Sequence, residues 1–139
     1  MSLLREFTPD QLDRLRPYLE RREFTAGSTI FHAGAPGSHL FLVTRGRASV
    51  HLVTGDRDIR LVTFTPGTVF GELAILDHGL RSATVTADDA LTVFALSQDG
   101  FTSLQSSEPD VAIKILSALG RELSSRLRQA NMTIHQLEG

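Results

Sequence analysis

The spacing of apolar residues divides the chain of 139 residues into three stretches. Apolar residues recur at helical spacing near the N-terminus, alternate with polar ones over residues 22–96, and return to helical spacing from residue 97 onward. Turns that contain glycine or proline punctuate the central stretch at short intervals. The pattern therefore predicts a mainly β domain with a helical segment on either side of it in the sequence.

The N-terminal stretch is predicted to form an interrupted helix. Its apolar positions are Leu4, Phe7, Leu12, Leu15 and Leu19. Thr8-Pro9-Asp10 is a typical helix start, because proline at the first helical position gives up no hydrogen bond. Pro17 breaks the pattern, so we expect a kink or two short helices.

The central stretch contains short segments that are rich in valine, isoleucine, threonine and phenylalanine. Residues 49–53 are predicted to pair with residues 59–64 across the turn Thr54-Gly55-Asp56-Arg57. Short strands at even spacing are typical of a β-sandwich or a small barrel.

The C-terminal stretch is predicted to form a short helix and then a long one. Phe101 and Leu104 mark the short helix, which we expect to stop near Pro109, and Asp110 is the predicted cap of the long helix. The long helix has one narrow apolar stripe, formed by Leu116, Leu119, Leu123, Leu127, Ala130, Ile134 and Leu137. Such a stripe indicates either packing on the β domain or self-association as a homodimer, and the pattern favours neither over the other.

Composition narrows the classes of function. The chain has no cysteine, which rules out a disulfide framework or a thiolate metal site and fits a cytoplasmic location. The net charge of -2 gives no general attraction to nucleic acid, and no apolar run approaches the length of a membrane span. The five histidines form no His-x-His pair, so we expect no metal.

One segment carries the candidate chemistry: Phe70-Gly71-Glu72-Leu73-Ala74-Ile75-Leu76, followed by Arg81-Ser82-Ala83-Thr84-Val85. Glycine lets a ligand approach the backbone, and the N–H groups that open a short helical turn favour an anion. Arg81 offers a permanently charged fork to phosphate oxygens, and Ser82 adds a hydroxyl. Glu72 would be repelled by phosphate and is expected to face a sugar hydroxyl. In the alternative, Glu72 and Arg81 pair with each other in an ordinary strand connection.

This segment resembles the phosphate-binding cassette of cyclic nucleotide-binding domains. The resemblance extends over residues 4–137, because the glycine turns, the strand that ends at Gly46 and the long final helix follow the family order. It implies a jelly-roll barrel of about eight strands, a short helix in the cassette and one domain over 4–137. Residues 1–3 and 138–139 look like residues left by an expression vector.

The resemblance also implies a role for each site residue. Arg81 would contact the phosphate with help from Ser82, Glu72 would accept a hydrogen bond from the ribose 2′-hydroxyl, and Ala83 would keep the approach open. The cassette is completed by Phe70, Gly71, Leu73 and Ala74, and Val50 and Leu61 would cover the base. The long helix would supply a lid or base contact, for which Ser124, Ser125, Arg126 and Asn131 remain equal candidates.

We therefore expect a regulatory sensor without catalysis of its own. The Arg81-Ser82 pair is similar to that of the catabolite-activator branch, which favours cyclic AMP over cyclic GMP. Movement of the long helix would pass the signal to a fused or partner domain. The alternatives are the sensory and dimerisation half of a transcription regulator, a module of a bacterial transporter, channel or glutaminase, and a cupin-like enzyme.

Overall fold

The computed structural model describes residues 3–72, 81 and 83–138, and the predicted cassette helix lies outside them. Its helices are α1 (Pro9–Leu15), α2 (Gln98–Ser107) and α3 (Pro109–Glu138), with 3-10 turns at Leu3–Glu6 and Arg16–Tyr18. The strands are β1 (Leu19–Phe24), β2 (Thr29–Phe31), β3 (His39–Arg45), β4 (Ala48–Thr54), β5 (Arg57–Phe64), β6 (Val69–Phe70), β7 (Thr84–Ala87) and β8 (Leu91–Ser97).

Helix α1 begins and ends where the sequence predicts. The Thr8 side chain accepts from the backbone N–H of Gln11, and the Gln11 side chain accepts from the backbone N–H of Thr8. This reciprocal capping box satisfies two donors that the first helical turn would otherwise leave unpaired. The helix gives way to the 3-10 turn that contains Pro17, which confirms the predicted interruption.

The eight described strands form two four-stranded antiparallel sheets, in the orders β1-β8-β3-β6 and β2-β7-β4-β5. The predicted hairpin is confirmed, since Thr54 pairs with Arg57 and the turn consists of Gly55 and Asp56. Gly55 has a φ of 62°, a conformation that favours glycine. The arrangement is the expected jelly roll.

The apolar core has two layers, one on each face of the first sheet. Between the sheets lie Phe41, Val43, Phe64, Phe70, Val93 and their neighbours. Between the first sheet and the helices lie Phe7, Leu15, Leu42, Val69, Leu104, Val111, Ile115, Leu119 and others. Strand β6 contributes Val69 to one layer and Phe70 to the other, because successive side chains of a strand point to opposite faces. Both layers therefore fix the strand that leads into the candidate site.

Helix α3 packs on the barrel with a face other than the predicted apolar stripe, so the first of the two alternatives for that stripe is wrong for most of the described side chains. The buried residues are Val111, Ala112, Ile115, Ala118 and Leu119. Among the side chains described, Leu119 is the one residue that is both buried and part of the predicted stripe. Leu116 and Leu127 of the predicted stripe are exposed. The predicted cap at Asp110 is also wrong, because the helix already begins at Pro109 and Asp110 lies in its first turn. Among the described residues, no helix is both long and apolar enough to cross a membrane.

Candidate functional site

Gly71 follows β6 directly, and its lack of a side chain lets Arg81 and the carbonyl of His39 come close to the backbone. Its φ is +77°, and a Cβ added there would lie 2.6 Å from Nη1 of Arg81 and 3.1 Å from the carbonyl oxygen of His39. Any larger residue would therefore strain the backbone and push the arginine away. The sequence singled out this glycine for ligand approach, and the structure shows that it also makes room for Arg81.

Arg81 is held in place by carbonyl groups and an aromatic ring. Its Nη1 donates to the carbonyl of Gly71 at 3.1 Å, and its Nη2 donates to the carbonyl of His39 at 2.8 Å. The guanidinium lies 4.0 Å from the ring centroid of Phe31, within cation–π range. Two backbone hydrogen bonds, from Arg81 to Ala35 and from Gly34 to Arg81, fix its main chain. Together these contacts hold the Arg81 side chain in one position.

Within the described residues, Arg81 forms no direct ion pair with a carboxylate, because its donors go to backbone carbonyls and Glu72 pairs with Arg126. The residue is 9% exposed, and its Nε is buried without a hydrogen-bond partner there. Burial lowers the pKa of the guanidinium, an effect that the nearby Glu72 opposes. An arginine nevertheless keeps its proton in proteins. A buried cation with an unused donor is suited to an anion that comes from outside.

Glu72 pairs with the long helix, not with Arg81. Nη1 of Arg126 donates to Oε1 of Glu72 at 2.7 Å, while Nη2 donates to Oε1 of Glu122 at 2.6 Å and to the carbonyl of Val69 at 2.8 Å. The guanidinium also lies 5.3 Å from the ring centroid of Phe64. Burial raises the pKa of the Glu122 carboxyl, and its pairing with Arg126 opposes that rise. The alternative of a Glu72–Arg81 ion pair is not realised in the part of the chain described.

Of the four helix residues that the sequence left as equal candidates, Arg126 is the one in contact with the cassette. Ser124, Ser125 and Asn131 are exposed. The guanidinium bridges β6 and α3, because Val69 lies on the strand and Glu122 lies one turn earlier on the helix. Helix α3 is thereby held over the glutamate at Arg126, a little past its midpoint.

Other predicted residues occupy different surroundings. Phe70 is 1% exposed and stacks on Phe41 and Phe64 at centroid distances of 5.2 and 5.1 Å. Its ring therefore belongs to the core and fixes the strand end that precedes Gly71. Ala83 is half-buried. The remaining predicted cassette residues, Leu73, Ala74 and Ser82, lie outside the described residues.

The two residues predicted to cover a base lie on the β4–β5 hairpin. Val50 is half-buried and packs against the core between the sheets, whereas Leu61 is 55% exposed. Val50 pairs with Val62 and His51 pairs with Arg60, so Leu61 is the extra residue of a bulge. Both Leu61 and Val62 therefore stand opposite Val50, and they leave apolar surface uncovered at the edge strand.

The sequence did not identify Phe31 and His39 as supports of Arg81. These residues come from β2 and β3, and they meet Arg81 only because the two sheets face each other. No local pattern marks a carbonyl oxygen as a partner of an arginine 42 positions away. No cluster of metal-ligating side chains occurs within residues 3–72, 81 and 83–138.

Comparison with known proteins agrees with this geometry. A family model described as "Cyclic nucleotide-binding domain" matches residues 21–108. The chain is 32% identical to the "Cyclic AMP receptor protein" of Thermus thermophilus, over 97% of this chain and 61% of that protein. It is 36% identical to "Glutaminase 2" of Bradyrhizobium diazoefficiens, over 98% of this chain and 21% of that protein.

A solved structure extends the comparison to the fold. The N-terminal domain of a transcriptional regulator from Streptomyces coelicolor A3(2) is similar to this chain with a TM-score of 0.76 and 32% identity. The similarity covers 95% of this chain and 90% of that domain. The chain thus spans nearly all of that N-terminal domain, but less than two thirds of the receptor protein and about a fifth of the glutaminase.

Proposed function

The chain belongs to the family of cyclic nucleotide-binding domains, and we propose that it binds cyclic AMP in preference to cyclic GMP. The observation that carries the proposal is Arg81, a buried guanidinium without a carboxylate partner among the described residues. A cyclic phosphodiester brings the single negative charge that this site lacks. The preference for cyclic AMP is supported by the Arg81-Ser82 pair and by the name of the Thermus thermophilus relative.

The proposed ligand fits the neighbouring residues. Gly71 gives Arg81 room beside the backbone, and Glu72 would supply a carboxylate for the ribose 2′-hydroxyl. The hydroxyl of Ser82 and the small side chains of Ala74 and Ala83 complete the proposed cassette together with Leu73. Val50 and Leu61 would cover the base, because the exposed apolar surface of the hairpin gains from contact with a flat ring.

We further propose that residues 4–137 act as a single sensor unit without catalysis, whose output lies outside it. The two curated relatives differ in output, since one is a receptor protein and the other a glutaminase, yet both match nearly the whole chain. In this proposal, the part that they share with this chain is the sensing part. Helix α3 is the proposed route of the signal, because it contacts the site through Arg126 and then continues past it.

The proposal is tested by replacing the arginine without changing the fold. Arg81→Gln keeps hydrogen-bond donors and removes the charge, and we expect the affinity for cyclic AMP to fall more than tenfold. The reason is that a charge-assisted hydrogen bond contributes about 1.5–3 kcal/mol, and about 1.4 kcal/mol corresponds to a factor of ten. Isothermal titration calorimetry with cyclic AMP and with cyclic GMP measures both affinity and preference.

Arg45→Gln is the matched control, because Arg45 is exposed at the end of β3. Its affinity should equal that of the unchanged protein, and circular dichroism should show the same fold in all three proteins. Equal affinity of the Arg81 variant and the control would refute the phosphate role of Arg81. Tighter binding of cyclic GMP would overturn the proposed base preference alone.

A further inference from the structure

The guanidinium of Arg81 lies over the ring of Phe31, with its central carbon 4.0 Å from the ring centroid. We propose that Phe31 is a positioning residue for the nucleotide phosphate: the ring takes the place of an acidic partner of Arg81 and holds the cation ready for an anion. The inference rests on the proposed function, and it adds the residue that prepares Arg81 for the ligand.

A buried cation needs a partner before any ligand arrives. Arg81 is 9% exposed, and a charge buried without compensation is costly. Its described hydrogen bonds go to the carbonyls of Gly71 and His39, which are dipoles without a net charge. The carboxylate of Glu72 donates nothing to the pairing, because it accepts from another arginine on α3. The negative face of the Phe31 ring therefore offsets part of the charge, and such contacts are strongest where water is excluded.

The ring does not compete with a phosphate for the same donors. A carboxylate in the place of Phe31 would accept hydrogen bonds from the guanidinium, and a phosphate would have to displace it. An aromatic ring attracts the cation through its quadrupole and needs no N–H group for that purpose. The Nε of Arg81 is accordingly buried without a hydrogen-bond partner within the described residues. The charge is held, and a donor stays available for an anion.

The Phe31 ring is itself fixed. Its centroid lies 6.1 Å from that of Phe41 and 6.0 Å from that of Phe70, and these two rings are 4% and 1% exposed. Phe31 belongs to the second sheet, whereas the carbonyls that bind the guanidinium come from β3 of the first sheet and from the residue after β6. The arginine is thus held from both sheets. A side chain that folding has already ordered need not be ordered on binding, which raises the affinity.

The test is Phe31→Leu, which keeps an apolar side chain and removes the ring. We expect the affinity for cyclic AMP, measured by titration calorimetry, to fall about three- to tenfold, within the range of a cation–π contact that is partly shielded from water. In the Arg81→Gln background the same change should have no further effect, because the ring acts through the charge. Unchanged affinity with Arg81 present, or an equal loss in both backgrounds, overturns the inference.

Phe101→Leu is the matched control, because Phe101 is buried in the other core layer, between the first sheet and the helices. It should lower the free energy of unfolding and leave the affinity unchanged. Replacing Phe31 by a phenylalanine fluorinated on the ring keeps the shape of the side chain and weakens its negative face, so the affinity should fall here as well. This variant decides the question even if Phe31→Leu does not fold. An affinity equal to that of the unchanged protein would show that the ring acts only through its shape, which refutes the proposed role.

A measurement on the free protein separates this inference from the proposed function. In the NMR spectrum of isotope-labelled protein, the Nε–H signal of Arg81 is identified by its absence from Arg81→Gln. The ring current of Phe31 shifts this signal, so Phe31→Leu should move it further than Phe101→Leu does. A movement no larger than in the control would contradict the contact. If the unchanged protein binds neither nucleotide, the proposed function fails together with the ligand step, whereas the NMR signal still decides whether Phe31 holds Arg81.

Discussion

The two halves of helix α3 are held to the barrel by different forces. The first half buries Val111, Ala112, Ile115, Ala118 and Leu119 against the first sheet and α2. In the second half, Leu127 and Met132 are 63% and 64% exposed, and Arg126 makes polar contacts with Glu72 and Val69 of the barrel. Apolar burial is non-directional and grows with area, whereas a guanidinium contact is directional and can be exchanged for another polar partner.

The difference indicates which half can respond to a ligand. A nucleotide brings hydroxyl and phosphate groups, which can replace a polar contact but not an apolar one. The first half also has a polar clamp, because Arg14 of α1 donates to Glu108 at 2.6 Å and to Asp110 at 2.7 Å. These side chains are partly exposed, so the clamp is expected to add less than the apolar face beneath it. The first half is therefore anchored by apolar burial, whereas the second half, as far as it is described, is held by polar contacts.

The largest effect should follow from removing part of the anchor. Ile115 is 2% exposed in the layer between the first sheet and the helices. We expect Ile115→Ala to lower the free energy of unfolding by about 2–5 kcal/mol, because the substitution loses apolar burial and leaves a cavity. Urea unfolding followed by circular dichroism measures the change.

The control lies two residues earlier on the same helix. Ile113 is 63% exposed, so Ile113→Ala should change the free energy of unfolding by no more than about 0.5 kcal/mol. Similar losses in the two variants would mean that the first half of α3 is not anchored by one buried face, and the contrast between the halves would disappear.

A smaller effect is expected from the polar clamp, and it depends on pH. The Arg14 guanidinium lowers the pKa of the Asp110 carboxyl from 3.8 to about 2. A group whose pKa is lower in the folded protein stabilises it above the unfolded value and loses that effect as the pH falls through the folded value. Between pH 4 and 2 the unchanged protein should therefore lose more stability than Asp110→Asn, as measured by the urea midpoint.

Asp56→Asn is the control for this experiment, because Asp56 is exposed in the turn between β4 and β5. Its urea midpoint should fall with decreasing pH in parallel with that of the unchanged protein. A parallel curve for Asp110→Asn as well would show that the clamp with Arg14 does not contribute to stability.

Local signals in the sequence predicted this structure better than patterns that depend on distant elements. Signals that act within a few residues were reliable: the helix start at Thr8-Pro9-Asp10 and the hairpin turn at Gly55 both form as expected. The apolar stripe of α3 did not identify the face that packs on the barrel, because that face depends on where the sheet lies, and the other interpretation of the stripe, self-association, stays a prediction. Ile115 is buried and Leu116 exposed for that reason, although their neighbouring positions fit the helical period equally well.

The residues of the candidate site likewise fall into those that a local motif identifies and those that only the fold brings together. Gly71, Glu72 and Arg81 were found because the cassette is a short motif in the sequence. The carbonyl of His39 and the ring of Phe31 hold Arg81 through contacts between distant strands, which no motif records. Arg126 was one of four candidates for a lid or base contact, and its contact with Glu72 was not predicted, since helical spacing alone does not say which side chain reaches that carboxylate.

The smallest effect should come from the exposed end of α3. We expect Leu127→Ala to change the free energy of unfolding by no more than about 0.5 kcal/mol, since its side chain has little burial to lose. Leu119→Ala, at a leucine eight residues earlier that is 1% exposed, should cost about 2–5 kcal/mol in the same urea experiment. A large loss for Leu127→Ala that grows with protein concentration would mean that a second copy of the chain covers Leu127. In that case the second half of α3 would also be held by apolar burial, between copies, and Arg126 would no longer be its main hold.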